Sequence, residues 1–170
     1  ELGIALRRLG SEVTVVEGLD KVLAIFDDEL RRPLTTWLRK NGVTTHVNCL
    51  AQGAEVKDGK VELTWKNAEG EMQSETFDKV LVTVGRRPNT RGWGLEKMGL
   101  RMDADERFIR IDNQCKTSMR GVYAIGDVSG EPMLAHRASA QGEMVAEILA
   151  GHKRSFDPVA IPAIVFTEPE

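Results

Sequence analysis

The chain has 170 residues, of which 41% are hydrophobic and 29% are charged, and its formal net charge is −3 at pH 7. This is an ordinary globular composition, and the small negative charge gives no reason to expect nucleic acid or an anionic membrane as a partner. No apolar run reaches membrane-spanning length, so we expect no membrane partner either.

The start of the chain predicts a helix, a strand, a second helix and a second strand. Apolar residues recur at helical spacing from Leu2 to Leu9. The β-branched apolar run 12–17 predicts a strand in a parallel sheet. Early acids and late bases predict a helix over 27–42, in which Pro33 would cause a kink or delay the start. Residues 43–48 predict the next strand.

Residues 50–77 predict a three-stranded antiparallel meander. Apolar and polar residues alternate there, and Asp58-Gly59 is a typical two-residue hairpin turn. A second turn is expected over 67–71. The meander is expected to cover one face of the parallel sheet.

The second half of the chain returns to short apolar runs and ends in a long helix. We predict three buried strands, over 79–85, 108–112 and 121–127. The remaining predicted elements are a loop over 85–90, a short helix over 94–99 and a helix over 134–151. Together these elements indicate an α/β fold with a doubly wound sheet, which binds ligands at the carboxyl ends of its strands.

Cys49 and Cys115 are the two cysteines, and neither belongs to a closely spaced pair. We expect both to be buried or half-buried free thiols in a reducing compartment.

Glu17 ends the first predicted strand, one helix after the chain start. In dinucleotide-binding units an acid at this point accepts hydrogen bonds from the adenosine ribose, after a Gly-rich turn that here would fall before Glu1. Glu17 is therefore either a ribose ligand or simply the first solvated residue after the strand.

Asp127 follows the last apolar run, directly after Gly126, where backbone can approach a ligand closely. Its carboxylate could accept hydrogen bonds from the hydroxyls of a sugar or polyol, or it could serve as a cap or turn residue. Arg86 and Arg87 are either phosphate ligands or a solvated basic loop. His136 alone is more typical of a structural histidine, and no metal-ligand spacing is present.

Several motifs occur in one order: Glu17 after a helix–strand unit, then VGRRPNT, VYAIGDV, PMLAH and FTEPE. With these motifs the chain resembles the dihydrolipoamide dehydrogenases, flavoproteins among the pyridine nucleotide-disulfide reductases. The resemblance runs the whole length, and PMLAH is its narrowest motif. It implies a Rossmann-type FAD/NAD-binding fold, three-layered ββα, in three parts. Residues 1–85 would be a partial NAD domain, 86–160 the second segment of the FAD domain, and 161–170 the start of a dimer-interface domain.

The resemblance also implies roles for individual residues. Glu17 would bind the NAD adenosine ribose, Ala51 would lie beside the adenine, and Gly85 would pass close to NAD. Gly126 and Asp127 would approach FAD, with Asp127 on the ribityl chain. The residues that would line the isoalloxazine are Met133, Leu134, Ala135 and His136.

By the same resemblance, the chain is expected to be an internal fragment of a longer enzyme. The redox-active disulfide would lie upstream and a His-Glu pair downstream, so the fragment itself would have no catalytic residue and no activity. The parent would be a homodimer that reoxidises dihydrolipoamide on a lipoyl domain with NAD⁺, through the disulfide and FAD. Its partner would be a 2-oxo acid dehydrogenase or glycine cleavage complex, in the bacterial cytoplasm or the mitochondrial matrix. The alternatives are a mercuric or glutathione-type reductase and a non-catalytic nucleotide-binding module.

Overall fold

The structure is a computed structural model that describes residues 1–169, which divide into two compact units. The first unit contains Glu1–Thr83 and the segment that begins at Ile164, and the second contains Val84–Ala163. Among the described residues, no helix is both long and apolar enough to span a bilayer. The assignment of residues 1–85, 86–160 and 161–170 to NAD, FAD and interface domains stays a prediction.

The first unit begins with the predicted helix–strand–helix–strand order. Its elements are α1 (Leu2–Arg8), β1 (Thr14–Val16), α2 (Asp28–Lys40) and β2 (Thr44–His46), and the two strands pair in parallel. The helices pack on this pair through a small core of Ile4, Leu34, Leu38 and Val43. Helix α2 starts at Asp28 and continues through Pro33, so the proline does not delay its start.

The predicted meander is confirmed as β3 (Leu50–Lys57), β4 (Lys60–Lys66) and β5 (Met72–Phe77), all antiparallel. Asp58 and Gly59 form the first turn, with φ of +50° and +78°, the pair of positive angles that a type I′ hairpin turn needs. The expected covering of the parallel sheet is limited: β3 is exposed along its length, whereas Trp65 on β4 is buried and its ring centroid lies 5.6 Å from that of His46 on β2.

The expected buried strand over 79–85 is wrong. Leu81 is 57% exposed, Val82 is 72% exposed and Val84 is 90% exposed, and no strand is formed. A strand exists only through hydrogen bonds to a neighbour, and within residues 1–169 none of the strands pairs with this segment.

The second unit is built around helix α3 (Ala135–Leu149), as predicted, with short 3₁₀ helices at Leu95–Met98 and Gly126–Ser129. The strands expected over 108–112 and 121–127 are wrong, since each is reduced to a single bridge, Met102 to Ile109 and Lys116 to Tyr123. These runs are nevertheless partly buried. They supply apolar side chains to two small cores, which contain Leu95, Ile109 and Ala124, and Cys115, Met144 and Val145.

Candidate functional site

Glu17 lies immediately after β1, and both of its backbone groups form hydrogen bonds with the segment 46–49. Its N–H donates to the carbonyl of His46 at 2.8 Å, and its own carbonyl accepts from Cys49 at 2.9 Å. The carboxylate is half-buried, and its Oε1 accepts the N–H of Leu19 at 3.0 Å. One carboxylate oxygen is thus fixed by the backbone, which orients the group and leaves acceptor capacity for a ligand hydroxyl.

Ala51 is an exposed residue near the start of β3. Its strand begins beside the Glu17 turn, since a Cβ at Gly18 would lie 3.9 Å from Cδ1 of Leu50. The structure therefore brings the start of β3 to the predicted ribose-binding acid.

Gly85 belongs to the second unit, where it is exposed with φ of +113°. Nothing lies within 4 Å of a Cβ built on it, so its left-handed backbone, and not crowding within residues 1–169, is what requires glycine here.

Gly126 is buried and has φ of +71°, at the start of a 3₁₀ helix. A Cβ on it would lie 3.0 Å from Cβ of Ala138, so the close approach at this glycine is to helix α3. Its N–H donates to Oε1 of Gln141 at 2.8 Å. Asp127 follows directly and is half-buried, and no hydrogen bond or ion pair joins its carboxylate to any other of residues 1–169.

Arg137 is a buried residue that sequence reasoning missed. Its Nη1 donates to the carbonyl of Gly126 at 3.3 Å and to that of Gly130 at 2.7 Å. It also reaches the carbonyl of Pro132 at 3.5 Å, and Nη2 lies 3.4 Å from Oγ of Ser129. The loop that carries Asp127 is therefore joined to α3 by the hydrogen bonds of Arg137.

The segment Met133–His136 runs into the first turn of α3. Met133 is buried, Leu134 is half-buried, and Ala135 and His136 are exposed. Leu134 is the N-cap and makes no side-chain cap, so the first amides of the helix are free to donate to a ligand. Nε2 of His136 lies 2.9 Å from the carbonyl of Pro162.

Arg86 donates to the carbonyl of Met133. Arg86 and Arg87 are both exposed, which fits the solvated basic loop, and the phosphate role stays a prediction. The Arg86 side chain connects the 85–90 loop to the segment before α3.

The two cysteines are free and buried, as expected. Cys115 is fully buried, and burial raises the pKa of its thiol. Within residues 1–169, no group of His, Cys, Asp and Glu side chains is arranged to hold a metal ion.

Solved structures with the same architecture are flavoprotein disulfide reductases. A cysteine-to-serine mutant of HOCl-induced flavoprotein disulfide reductase RclA from Escherichia coli, in a Cu(II) complex, superposes with a TM-score of 0.84 at 22% identity, over 98% of this chain and 37% of that chain. LpdA from Mycobacterium tuberculosis superposes with a TM-score of 0.83 at 29% identity, over 99% of this chain and 36% of that chain. The fold is therefore the α/β FAD/NAD-binding fold of flavoprotein disulfide reductases, as predicted.

Residues 1–142 match the family described as pyridine nucleotide-disulphide oxidoreductase, and the chain belongs to this family. The dihydrolipoyl dehydrogenase of Pseudomonas aeruginosa is 49% identical over 170 residues, which are all of this chain and 35% of that protein. Those of Geobacillus stearothermophilus and Bacillus subtilis are 44% and 42% identical, again over all of this chain and 36% of each relative. The chain thus spans little more than a third of the length of these relatives.

Proposed function

We propose that the whole protein is a dihydrolipoyl dehydrogenase, which oxidises dihydrolipoamide with NAD⁺. The observation that carries this proposal is identity of 42–49% over the complete chain to enzymes of that name from three bacteria. The redox disulfide of such an enzyme consists of two cysteines that lie close enough to each other to form and break a disulfide bond. Cys49 and Cys115 are buried separately as free thiols, so the disulfide would lie outside these residues.

The NAD part of the proposal assigns the adenosine ribose to Glu17. Its carboxylate has the right chemistry, since it is half-buried, oriented by the N–H of Leu19 and able to accept from a hydroxyl. Ala51, on the strand that starts beside this turn, would face the adenine. Gly85, with its left-handed backbone, would allow close passage of the dinucleotide.

The FAD part of the proposal assigns the ribityl chain to Asp127. Within residues 1–169 its carboxylate has no partner, and a polyol would supply hydroxyl donors to it. The uncapped first turn of α3 offers N–H donors to the carbonyl-rich edge of an isoalloxazine, which Met133–His136 would line. When bound, FAD would carry an electron pair between the disulfide and NAD⁺.

The wider assignments rest on the same relatives. Residues 1–85 would belong to the NAD domain, 86–160 to the FAD domain and 161–170 to the start of a dimer interface. The protein would act as a homodimer on a lipoyl domain of a 2-oxo acid dehydrogenase or glycine cleavage complex. The bacterial sources of the relatives favour the cytoplasm of a bacterium over the mitochondrial matrix.

The test is to purify the full-length protein, record its flavin absorbance and compare substrates. We expect a bound flavin and rapid NAD⁺ reduction by dihydrolipoamide, with at most trace NADPH oxidation by glutathione disulfide or Hg²⁺. Efficient reduction of either of the last two would replace the proposal with a glutathione or mercuric reductase. A colourless protein without turnover would favour a non-catalytic nucleotide-binding module.

A further inference from the structure

Three residues of helix α3 fix the backbone of Gly126. Gln141, which is 1% exposed, accepts its N–H at 2.8 Å, and Arg137 donates to its carbonyl at 3.3 Å. Ala138 lies between them and would contact any Cβ at 3.0 Å. Arg137 and Gln141 are one helical turn apart and therefore share a face. Gly126, the residue directly before Asp127, is thus held through both its backbone donor and its backbone acceptor.

Arg137 also forms hydrogen bonds with other residues of the same loop. We call this segment, residues 126–132, the Asp127 loop. Besides Gly126, the Arg137 guanidinium contacts Ser129, Gly130 and Pro132. The shortest of these contacts is to the carbonyl of Gly130 at 2.7 Å. One side chain therefore contacts both ends of the loop.

The burial of Arg137 makes this arrangement unusual. The residue is only 7% exposed, yet its hydrogen-bond acceptors are three carbonyls and a hydroxyl, and no carboxylate of residues 1–169 forms an ion pair with it. Removing a guanidinium from water is costly unless its donors are satisfied. Because the Asp127 loop is what satisfies them, opening of the loop would leave a buried cation without acceptors.

We propose that Arg137 is a positioning residue for the flavin site, which holds the Asp127 loop so that the Asp127 carboxylate stands at a fixed place for the polyol. This inference rests on the proposed role of Asp127. Arg137 itself would not touch the flavin, because its donors are directed to the loop carbonyls. Arg137 would affect flavin affinity only by fixing the position of Asp127.

A double-mutant cycle on the full-length protein tests whether Arg137 affects flavin binding through Asp127. FAD affinity is measured by fluorescence titration of the flavin-free protein for wild type, Asp127→Asn, Arg137→Met and the double variant. We expect each single change to weaken binding about ten- to a hundredfold, because Asp127→Asn removes the charge from the proposed contact with the polyol and Arg137→Met removes the guanidinium contacts that hold the loop. The double variant should bind no more than about twofold worse than the weaker single variant.

The matched control is Arg110→Met, because Arg110 is exposed and its side chain forms no hydrogen bond or ion pair with the loop. It should change FAD affinity by less than about twofold. Arg137→Lys keeps the charge but loses the fork of donors, and it provides a second readout that needs no flavin. Hydrogen exchange of the Asp127 loop in the flavin-free protein should accelerate at least about tenfold in this variant.

The outcomes separate this inference from the proposed function. If wild type binds FAD but the losses of the two single variants multiply in the double variant, Arg137 does not act through Asp127. Unchanged exchange of the loop in Arg137→Lys would also overturn the inference, even if Arg137→Met does not fold. If wild type binds no FAD at all, the proposed function fails and this inference fails with it.

Discussion

Nζ of Lys21 lies 3.2 Å from Oδ1 of Asp28, and the same carboxylate oxygen accepts from Nη2 of Arg31 at 2.5 Å. Hydrogen bonds from Arg31 and then Lys21 lower the pKa of Asp28. Lys21 is the only basic residue in the stretch 15–23 around Glu17. The ion pair with Asp28 therefore occupies the basic residue that is nearest to Glu17 in the sequence and that could compensate the charge of a 2′-phosphate on the ribose.

We predict that the full-length protein prefers NADH to NADPH by at least about tenfold and that Glu17→Gln loses most of this preference. A 2′-phosphate carries up to about two negative charges, and two like charges about 4 Å apart repel by roughly 4 kcal/mol at an effective dielectric of 20. Glutamine can still accept the N–H of Leu19, so the turn is kept while the charge is removed. The measurement is kcat/KM with each cofactor.

The matched control for this prediction is Glu12→Gln. Glu12 is exposed just before β1, and its side chain forms no hydrogen bond or ion pair within residues 1–169. Equal use of NADH and NADPH by wild type, or unchanged selectivity in Glu17→Gln, would show that Glu17 does not face the ribose.

A second prediction concerns Lys21 directly. Asp28→Asn should raise kcat/KM with NADPH about two- to fivefold and leave NADH nearly unchanged, because an exposed ion pair restrains a lysine only weakly. Since the pKa of Asp28 is lowered, its carboxylate stays charged at neutral and mildly acidic pH, and the restraint is lost only as pH falls through that lowered pKa. A lower NADPH efficiency in Asp28→Asn would contradict the prediction.

The elements that sequence predicted well are those with their own local signal. The helices from Leu2, Asp28 and Ala135 have apolar spacing or charge order, and the meander has alternation and an Asp-Gly turn. The runs over 79–85 and 121–127 are as apolar as strands, but a strand also requires a neighbour at hydrogen-bonding distance. That requirement is not local: within residues 1–169 no strand pairs with 79–85, and 121–127 forms only the bridge from Tyr123 to Lys116.

The candidate site divides in the same way. Glu17 and Asp127 stand out because an acid after an apolar run is visible in one segment of sequence. Arg137 and Arg86 do not stand out, because their partners are backbone carbonyls, which lie 7 and 47 residues away in the chain. Carbonyls are present at every residue, so no residue type marks them, and only the folded loop shows which ones a guanidinium will reach.

A third prediction tests Asp127 against a matched acid. Asp127→Asn should weaken FAD retention about ten- to a hundredfold in the full-length protein, because a charge-assisted hydrogen bond is lost. Asp105→Asn is the control, since Asp105 is exposed and its side chain forms no hydrogen bond or ion pair within residues 1–169. Asp112 is unsuitable, because its Oδ1 accepts the N–H groups of Gln114 and Lys116 and its removal would disturb the turn. Flavin occupancy after dialysis is the measurement, and equal occupancy in the two variants would refute the assignment.

The last prediction concerns Cys115, which is fully buried on the core of the second unit. Burial is the main reason why its pKa is raised, and nearby Asp112 adds to this, partly offset by Arg137. The thiolate is the reactive form of cysteine. In the native full-length protein at pH 8, we therefore expect iodoacetamide to modify Cys115 at least about a hundredfold more slowly than in denaturant. Mass spectrometry of the peptide that contains Cys115 measures the rate.

The sign of the pH dependence follows from the same pKa. The folded state holds the thiol proton more tightly than the unfolded chain, so this group stabilises the fold below its ordinary pKa. That contribution is lost as pH rises through the raised value, and modification of Cys115 should accelerate there together with unfolding. Cys115→Ala separates the two effects, because it removes the titrating thiol at little cost in volume and should flatten the alkaline loss of stability. A native modification rate equal to the denatured rate, or an alkaline stability profile unchanged in Cys115→Ala, would show that burial does not protect this thiol.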